Sequence, residues 1–195
     1  MKGEGLREGW PAFALATFFI CATPLAAPAP ETITACEACH GKGGNATTPL
    51  TPSIAGQPVT FLENQLIFFR EGLRASAIMQ GVAKGMKDKD ITELAKHFAA
   101  SPVQIVSPGA TDAKLDTRGK QLAGSMHCGQ CHLPDFRGRA QMPRLAGQRE
   151  DYLVETMKAY RDGKRTGADT TMSEVLYGLK DVDIAALGHF LARRK

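Results

Sequence analysis

Four cysteines and two histidines carry the chemistry that can be read from this chain. Cys36-Glu-Ala-Cys39-His40 and Cys128-Gly-Gln-Cys131-His132 share one spacing and lie 92 residues apart. Cys-x-x-Cys-His is the attachment sequence for c-type haem. The two thiols add to the porphyrin vinyl groups as thioethers, and the adjacent imidazole ligates the iron. Two intervening residues let both sulfurs reach the same edge of the ring. A zinc ribbon also pairs cysteines, but holds its pairs far closer together. A thioredoxin-like pair needs a preceding strand, and none is evident. Two local disulfides would leave the repeated His without a role. Cys36, Cys39, Cys128 and Cys131 therefore predict two covalently attached haem c groups, ligated through His40 and His132.

A low-spin haem that carries electrons has Met or His opposite the first His. Met79 lies 39 residues after His40, and Met172 lies 40 after His132. Met86 is a rival, but it aligns with Leu179, a position that needs only an apolar side chain. Met157 aligns with Leu66 in an apolar stripe, and Met126 and Met142 have no methionine counterparts in the first half. His97, His127 and His189 read as surface side chains. Pro52 and Pro143 follow the two histidines by 12 and 11 residues. Either they offer a backbone carbonyl to the free ring N–H, or they only punctuate a turn.

These residues sit on an internal repeat. Pro52-Ser-Ile-Ala-Gly56-Gln57 matches Pro143-Arg-Leu-Ala-Gly147-Gln148 at an offset of 91. Arg70-Glu-Gly-Leu-Arg74 matches Arg161-Asp-Gly-Lys-Arg165, also at 91. Met79 matches Met172 and Asp90-Ile91 matches Asp183-Ile184, both at 93. The chain is two copies of one small domain, 31–101 and 113–195, joined by a Pro- and Gly-marked linker over 102–112. Each copy is predicted to be helical. Val59, Leu62, Leu66 and Phe69 recur at helical spacing, as do Leu153, Met157 and Tyr160. Ile91, Leu94, Ala95 and Phe98 mark a last helix, matched by Ile184, Leu187 and Leu191. No segment alternates as a strand would.

Composition narrows the function. Of 195 residues, 43% are hydrophobic and 23% charged, which excludes a mostly disordered chain. A net charge of +4, with no basic helix, gives no ground for nucleic-acid binding. Residues 31–101 carry seven basic and seven acidic side chains, whereas residues 102–195 carry fifteen and eleven. Ionised haem propionates would make the first copy negative and leave the second positive, an electrostatic dipole that orients encounters at low salt. Arg137, Arg139, Arg144 and Arg149 form the densest basic stretch; it reads as a solvated face or a docking patch. Trp10 to Pro30 carries no charge, and its apolar centre suits an export signal over residues 1–27, with a retained anchor as the competing reading. Export places the mature chain in the periplasm, and peripheral membrane contact stays open.

The order of motifs resembles the dihaem cytochrome c4 family across residues 31–195. The resemblance implies an all-α fold of two tandem class I cytochrome c domains. It implies axial pairs His40 with Met79 and His132 with Met172, and no catalytic residues. It implies an electron carrier whose partners are a terminal oxidase, a bc complex or a flavoprotein dehydrogenase. The alternative is the cytochrome subunit of a flavocytochrome c sulfide dehydrogenase or similar complex. A catalytic haem enzyme such as a peroxidase is a third reading, for which the chain is short. Two departures stand out. The first copy has too few residues after the signal to build the helix that Leu115, Gly119 and Leu122 mark in the second. Lys87 and Lys180 stand where the family has a capping serine.

Overall fold

The computed structural model describes residues 29–105, 109–165 and 170–195. The expected signal over 1–27 lies outside the described residues. Among the described residues every extended element is a helix, and the backbone pairs otherwise only in an isolated bridge between Arg139 and Met142. The first copy runs α1 (Pro30–His40), a single tighter turn (Lys42–Gly44), α2 (Val59–Arg70), α3 (Ala77–Ala83) and α4 (Asp88–Ala100). The second runs α5 (Ala113–Ser125), α6 (Cys128–His132), α7 (Glu150–Arg161), α8 (Thr171–Leu176) and α9 (Asp181–Ala192).

Each core forms where the stripe helix meets the last helix. Leu62 of α2 packs with Leu94, Ala95 and Phe98 of α4. Leu153 and Met157 of α7 pack with Ile184, Leu187 and Leu191 of α9. Burial stabilises each large side chain by roughly 1.5–3 kcal/mol. Neither α4 nor α9 has a side-chain cap, because Lys87 and Lys180 have no acceptor to offer. Asp88 and Asp90, like Asp181 and Asp183, place negative charge in those first turns instead. Arg70 reaches Asp88 at 2.7 Å and Arg161 reaches Asp181 at 2.6 Å, the same ion pair made twice.

The copies differ on one face. α5 crosses α9 so closely that a Cβ on Gly119 would lie 2.1 Å from the Ala186 carbonyl oxygen and 2.5 Å from the Phe190 Cβ. Covered on both sides, α9 is buried continuously from Ala186 to Ala192. In the first copy α1 begins at Pro30, so no described residues correspond to the start of α5. The positions matching Ala186 and Phe190 are Glu93 and His97, so this side of α4 carries polar side chains where α9 carries apolar ones.

The boundary between the copies repeats itself about a local twofold relation. The Gln57 side chain accepts from the Arg144 N–H at 2.9 Å and donates to the Arg144 carbonyl at 3.0 Å. Its repeat mate Gln148 accepts from the Ser53 N–H and donates to the Ser53 carbonyl, both at 2.8 Å. Ser53 and Arg144 are themselves repeat mates, so each copy grips the same backbone position of the other. Arg149 adds a bond to the Thr47 carbonyl at 3.0 Å, and its partner Asp151 accepts the Leu50 N–H at 3.0 Å. The start of the linker is seated too. Gly56 and Gly147, both with positive φ, leave room for Val103 and Ile105 respectively; a Cβ there would come within 2.3 Å and 3.0 Å of those side chains.

Candidate haem sites

The two attachment motifs occupy a single helical turn each. α6 consists of Cys128 to His132 alone, and the last five residues of α1 are Cys36 to His40. Positions i, i+3 and i+4 share a helix face, so both thiols and the imidazole of each motif point the same way. Cys36 and Cys128 are half-buried, Cys39 and Cys131 are exposed, and none of the four is in a disulfide. Burial pushes the Cys36 and Cys128 thiols above their usual range, with Glu37 adding to the effect at Cys36.

The imidazoles are held from behind. His40 Nδ1–H donates to the Pro52 carbonyl at 2.8 Å, and His132 Nδ1–H donates to the Pro143 carbonyl at 2.9 Å. The two prolines therefore supply acceptors as well as turns. A carbonyl can only accept, so the ring proton sits on Nδ1 and the Nε2 lone pair is left for a metal. Burial pushes both rings below the usual imidazole range, against the carbonyl bond, which keeps them neutral as a ligand must be. His132 is 4% exposed, and its buried Nε2 has no hydrogen-bond partner. An unmade bond of that kind costs about 1–3 kcal/mol, which coordination would remove. No group of three or more His, Cys, Asp or Glu among the described residues gathers to hold a bare ion. One imidazole and two thiols per copy fit a c-type haem and do not complete a four-ligand zinc site.

Met79 lies in the first turn of α3, where its N–H is capped by the Ser76 hydroxyl at 3.3 Å. Met172 lies in the first turn of α8 and packs beside the second core. Both are half-buried. Met86 has a different niche. It packs against the first core, and its carbonyl accepts from Arg70 at 2.9 Å. Leu179 does the same in the second copy, accepting from Arg161 at 3.1 Å. The repeat alignment of Met86 with Leu179 thus has a structural counterpart.

Three features were not foreseen in the sequence. His189 is 3% exposed rather than a surface residue. Its Nε2 accepts the Asp112 N–H at 3.0 Å, and its Nδ1–H faces Glu150 at 3.3 Å, tying α5 to α9 and α7. Its place between Leu187 and Leu191, on a helix apolar all round, was the available signal. The Arg149 side chain and the Arg144 main chain belong to the boundary, whereas the Arg144 side chain bonds the Ala146 carbonyl of its own copy at 2.8 Å. Gln57 and Gln148 were seen to repeat but had no assigned role; a polar residue repeated inside an apolar element was the hint.

The family model for cytochrome c matches residues 117–195. A cytochrome c4 of Pseudomonas aeruginosa is 32% identical over 167 residues, 80% of this chain and 82% of that one. A protein of Thiomonas intermedia named thiosulfate dehydrogenase electron acceptor is 31% identical, covering 91% of this chain and 87% of its own. Among solved structures, reduced cytochrome c4 from Pseudomonas stutzeri superposes with a TM-score of 0.77 at 28% identity, covering 87% of this chain and all of that one.

Proposed function

The chain belongs to the cytochrome c4 family, and from that premise we propose that it relays single electrons from a periplasmic dehydrogenase to a terminal respiratory oxidase. It is built of two tandem class I cytochrome c domains, carries two covalent haem c groups, and is an electron carrier rather than a catalyst. Bound haem supplies reversible one-electron chemistry at its iron. The residues of this chain do the rest. Cys36 with Cys39, and Cys128 with Cys131, would provide the sulfurs that attach the two groups. His40 with Met79, and His132 with Met172, would hold the two irons. The Pro52 and Pro143 carbonyls orient the imidazoles and hold their protons on Nδ1. Thioether ligation raises the potential relative to a second His, which suits a position late in a respiratory chain. We take 31–101 and 113–195 as the two domains, 102–112 as the linker and 1–27 as the export signal. Among the described residues no helix is long and apolar enough to cross a membrane.

The observation that carries this reading is the buried, unpartnered His132 Nε2 on a Cys-x-x-Cys-His turn. An iron held by both His and Met would have no open site for a small ligand. The reduced protein is expected to bind carbon monoxide slowly and substoichiometrically at neutral pH. Rapid, stoichiometric binding at either haem would overturn the closed-site reading. The proposal has an upstream half, the electron donor. The thiosulfate dehydrogenase electron acceptor among the relatives favours a dehydrogenase of reduced sulfur compounds as that donor. A second reading, the permanent cytochrome subunit of such a dehydrogenase, rests on the same likeness. Purification from the native host without a co-eluting flavoprotein would support the carrier; a stoichiometric flavoprotein would support the subunit.

A further inference from the structure

One peptide group in each copy is bonded from both ends. The Pro52 carbonyl accepts the His40 Nδ1–H at 2.8 Å, and the N–H of the same peptide unit, that of Ser53, donates to the Gln148 side-chain oxygen at 2.8 Å. The Pro143 carbonyl accepts the His132 Nδ1–H at 2.9 Å, and the N–H of its peptide unit, that of Arg144, donates to the Gln57 side-chain oxygen at 2.9 Å. Each chain of bonds therefore starts at an imidazole of one copy and ends at a glutamine of the other. A trans amide holds its carbonyl and its N–H on opposite sides, so the two bonds draw its electrons in one direction. Donation by the N–H makes the carbonyl a better acceptor, and bonds chained in this way strengthen one another. Ser53, Gln57, His132 and Gln148 are buried, where water does not screen the effect.

We propose that Gln57 and Gln148 are positioning residues for the opposite copy's imidazole: Gln148 sets the donor strength of His40, and Gln57 that of His132. The proposal rests on the reading that each copy binds a haem. A ring whose Nδ1–H is drawn harder toward its acceptor is a more basic ligand at Nε2 and favours the oxidised iron. The second bond of each glutamine fixes the geometry. Gln148 also donates to the Ser53 carbonyl at 2.8 Å and Gln57 to the Arg144 carbonyl at 3.0 Å, so neither amide can turn its oxygen away without losing both bonds. The two relays share a path but not their surroundings. The Arg149 N–H shares the Gln148 oxygen at 2.9 Å. Pro58 follows Gln57 and has no N–H to offer, so the relay to His132 is the undivided one. Nearby, Tyr152 accepts from Arg74 across the boundary at 3.1 Å, and the matching residue of the first copy is Phe61.

The test is spectroelectrochemistry and proton NMR of the haem-loaded protein with Gln148→Leu and Gln57→Leu, which replace one neutral side chain by another. Gln148→Leu is expected to raise the reduction equilibrium of the haem on His40, and Gln57→Leu that of the haem on His132. A loss of about 10–30% in the strength of the ring bond corresponds to a rise of roughly two- to fivefold. In the reduced protein the Nδ1–H resonance of the same imidazole is expected to move upfield while that of the other imidazole holds. Gln57→Leu is expected to give the larger shift, because its relay is undivided. Unchanged potentials in both variants would overturn the proposal. So would a shift confined to the haem of the altered copy, or one equal at both haems, since either would make the glutamines boundary contacts and nothing more. Gln148→Asn and Gln57→Asn, one methylene shorter, carry the same expectation should the leucine variants fail to mature. The unaltered protein gives an independent reading. Scalar coupling through the hydrogen bonds is expected between the Ser53 nitrogen and the Gln148 side-chain carbonyl carbon, and between the His40 Nδ1 and the Pro52 carbonyl carbon; absence of either would overturn the relay. Covalently held, low-spin haem in the variants shows the haem reading intact while the potentials decide the relay, whereas an unaltered protein without covalent haem would overturn both.

Discussion

Met79 and Met86 lie seven residues apart, and the difference between them is the most direct test at the scale of single residues. Met79→Ala is expected to abolish the near-red band of one haem and to lower its potential, since it removes the proposed sulfur donor. Met86→Leu is expected to leave the band intact and to cost less than about 1.5 kcal/mol, because Leu179 fills the equivalent niche. Visible spectra and a potential titration of both variants check this; the reverse pattern would sink the repeat-based assignment. What was legible at this scale followed from covalent chemistry. Thioether attachment fixes the spacing of Cys36, Cys39 and His40, so the motif can be read without the fold. The Pro52 carbonyl could not be read in the same way, because every residue has a carbonyl and only the turn aims this one at His40. His189 was misplaced for a related reason: its burial depends on the packing of α5 and α7 around α9, which its own helix does not reveal.

Among the elements, the contrast between α4 and α9 shows how neighbours shape a helix. The period of Ile91, Leu94, Ala95 and Phe98 foretold the buried stripe of α4. The extra apolar positions of α9, Ala186 and Phe190, make sense only once α5 lies across them. Gly119→Ala tests that crossing. Its Cβ would meet backbone at 2.1 Å with no flexible side chain to yield, and a loss of about 3 kcal/mol is expected. Gly124→Ala on the same helix meets nothing within 4 Å, and should gain about 0.5–1 kcal/mol from helix propensity alone. Denaturant midpoints of both variants, followed by far-ultraviolet circular dichroism, decide the matter. Equal effects of the two substitutions would rule out close contact as the cause.

At the scale of the whole molecule, the two glutamines govern whether the copies behave as one body. Gln57 and Gln148 are 4% and 6% exposed, and each satisfies one N–H and one carbonyl of the opposite copy. Gln57→Ala would leave the Arg144 groups without partners, at a cost of at least about 2 kcal/mol. Urea unfolding that is a single transition in the unaltered chain is expected to split into two in Gln57→Ala or Gln148→Ala. A single transition at an unchanged midpoint would show that the bonds do not couple the copies. The same boundary accounts for Arg149, one of the basic residues whose density along the sequence resembled a docking patch. A boundary that grips itself twice is what two identical subunits would make about a dyad. Here one chain joins the halves, which sets their effective concentration on the order of millimolar, so dilution does not part them. Tethering also lifts a constraint that identical subunits cannot escape. In a dimer of equal chains every side chain near the dyad appears twice, and a phenol on one side implies a phenol on the other. One continuous chain can keep Tyr152 in one copy and Phe61 at the matching position of the other, and so give two nearly identical redox sites unequal surroundings.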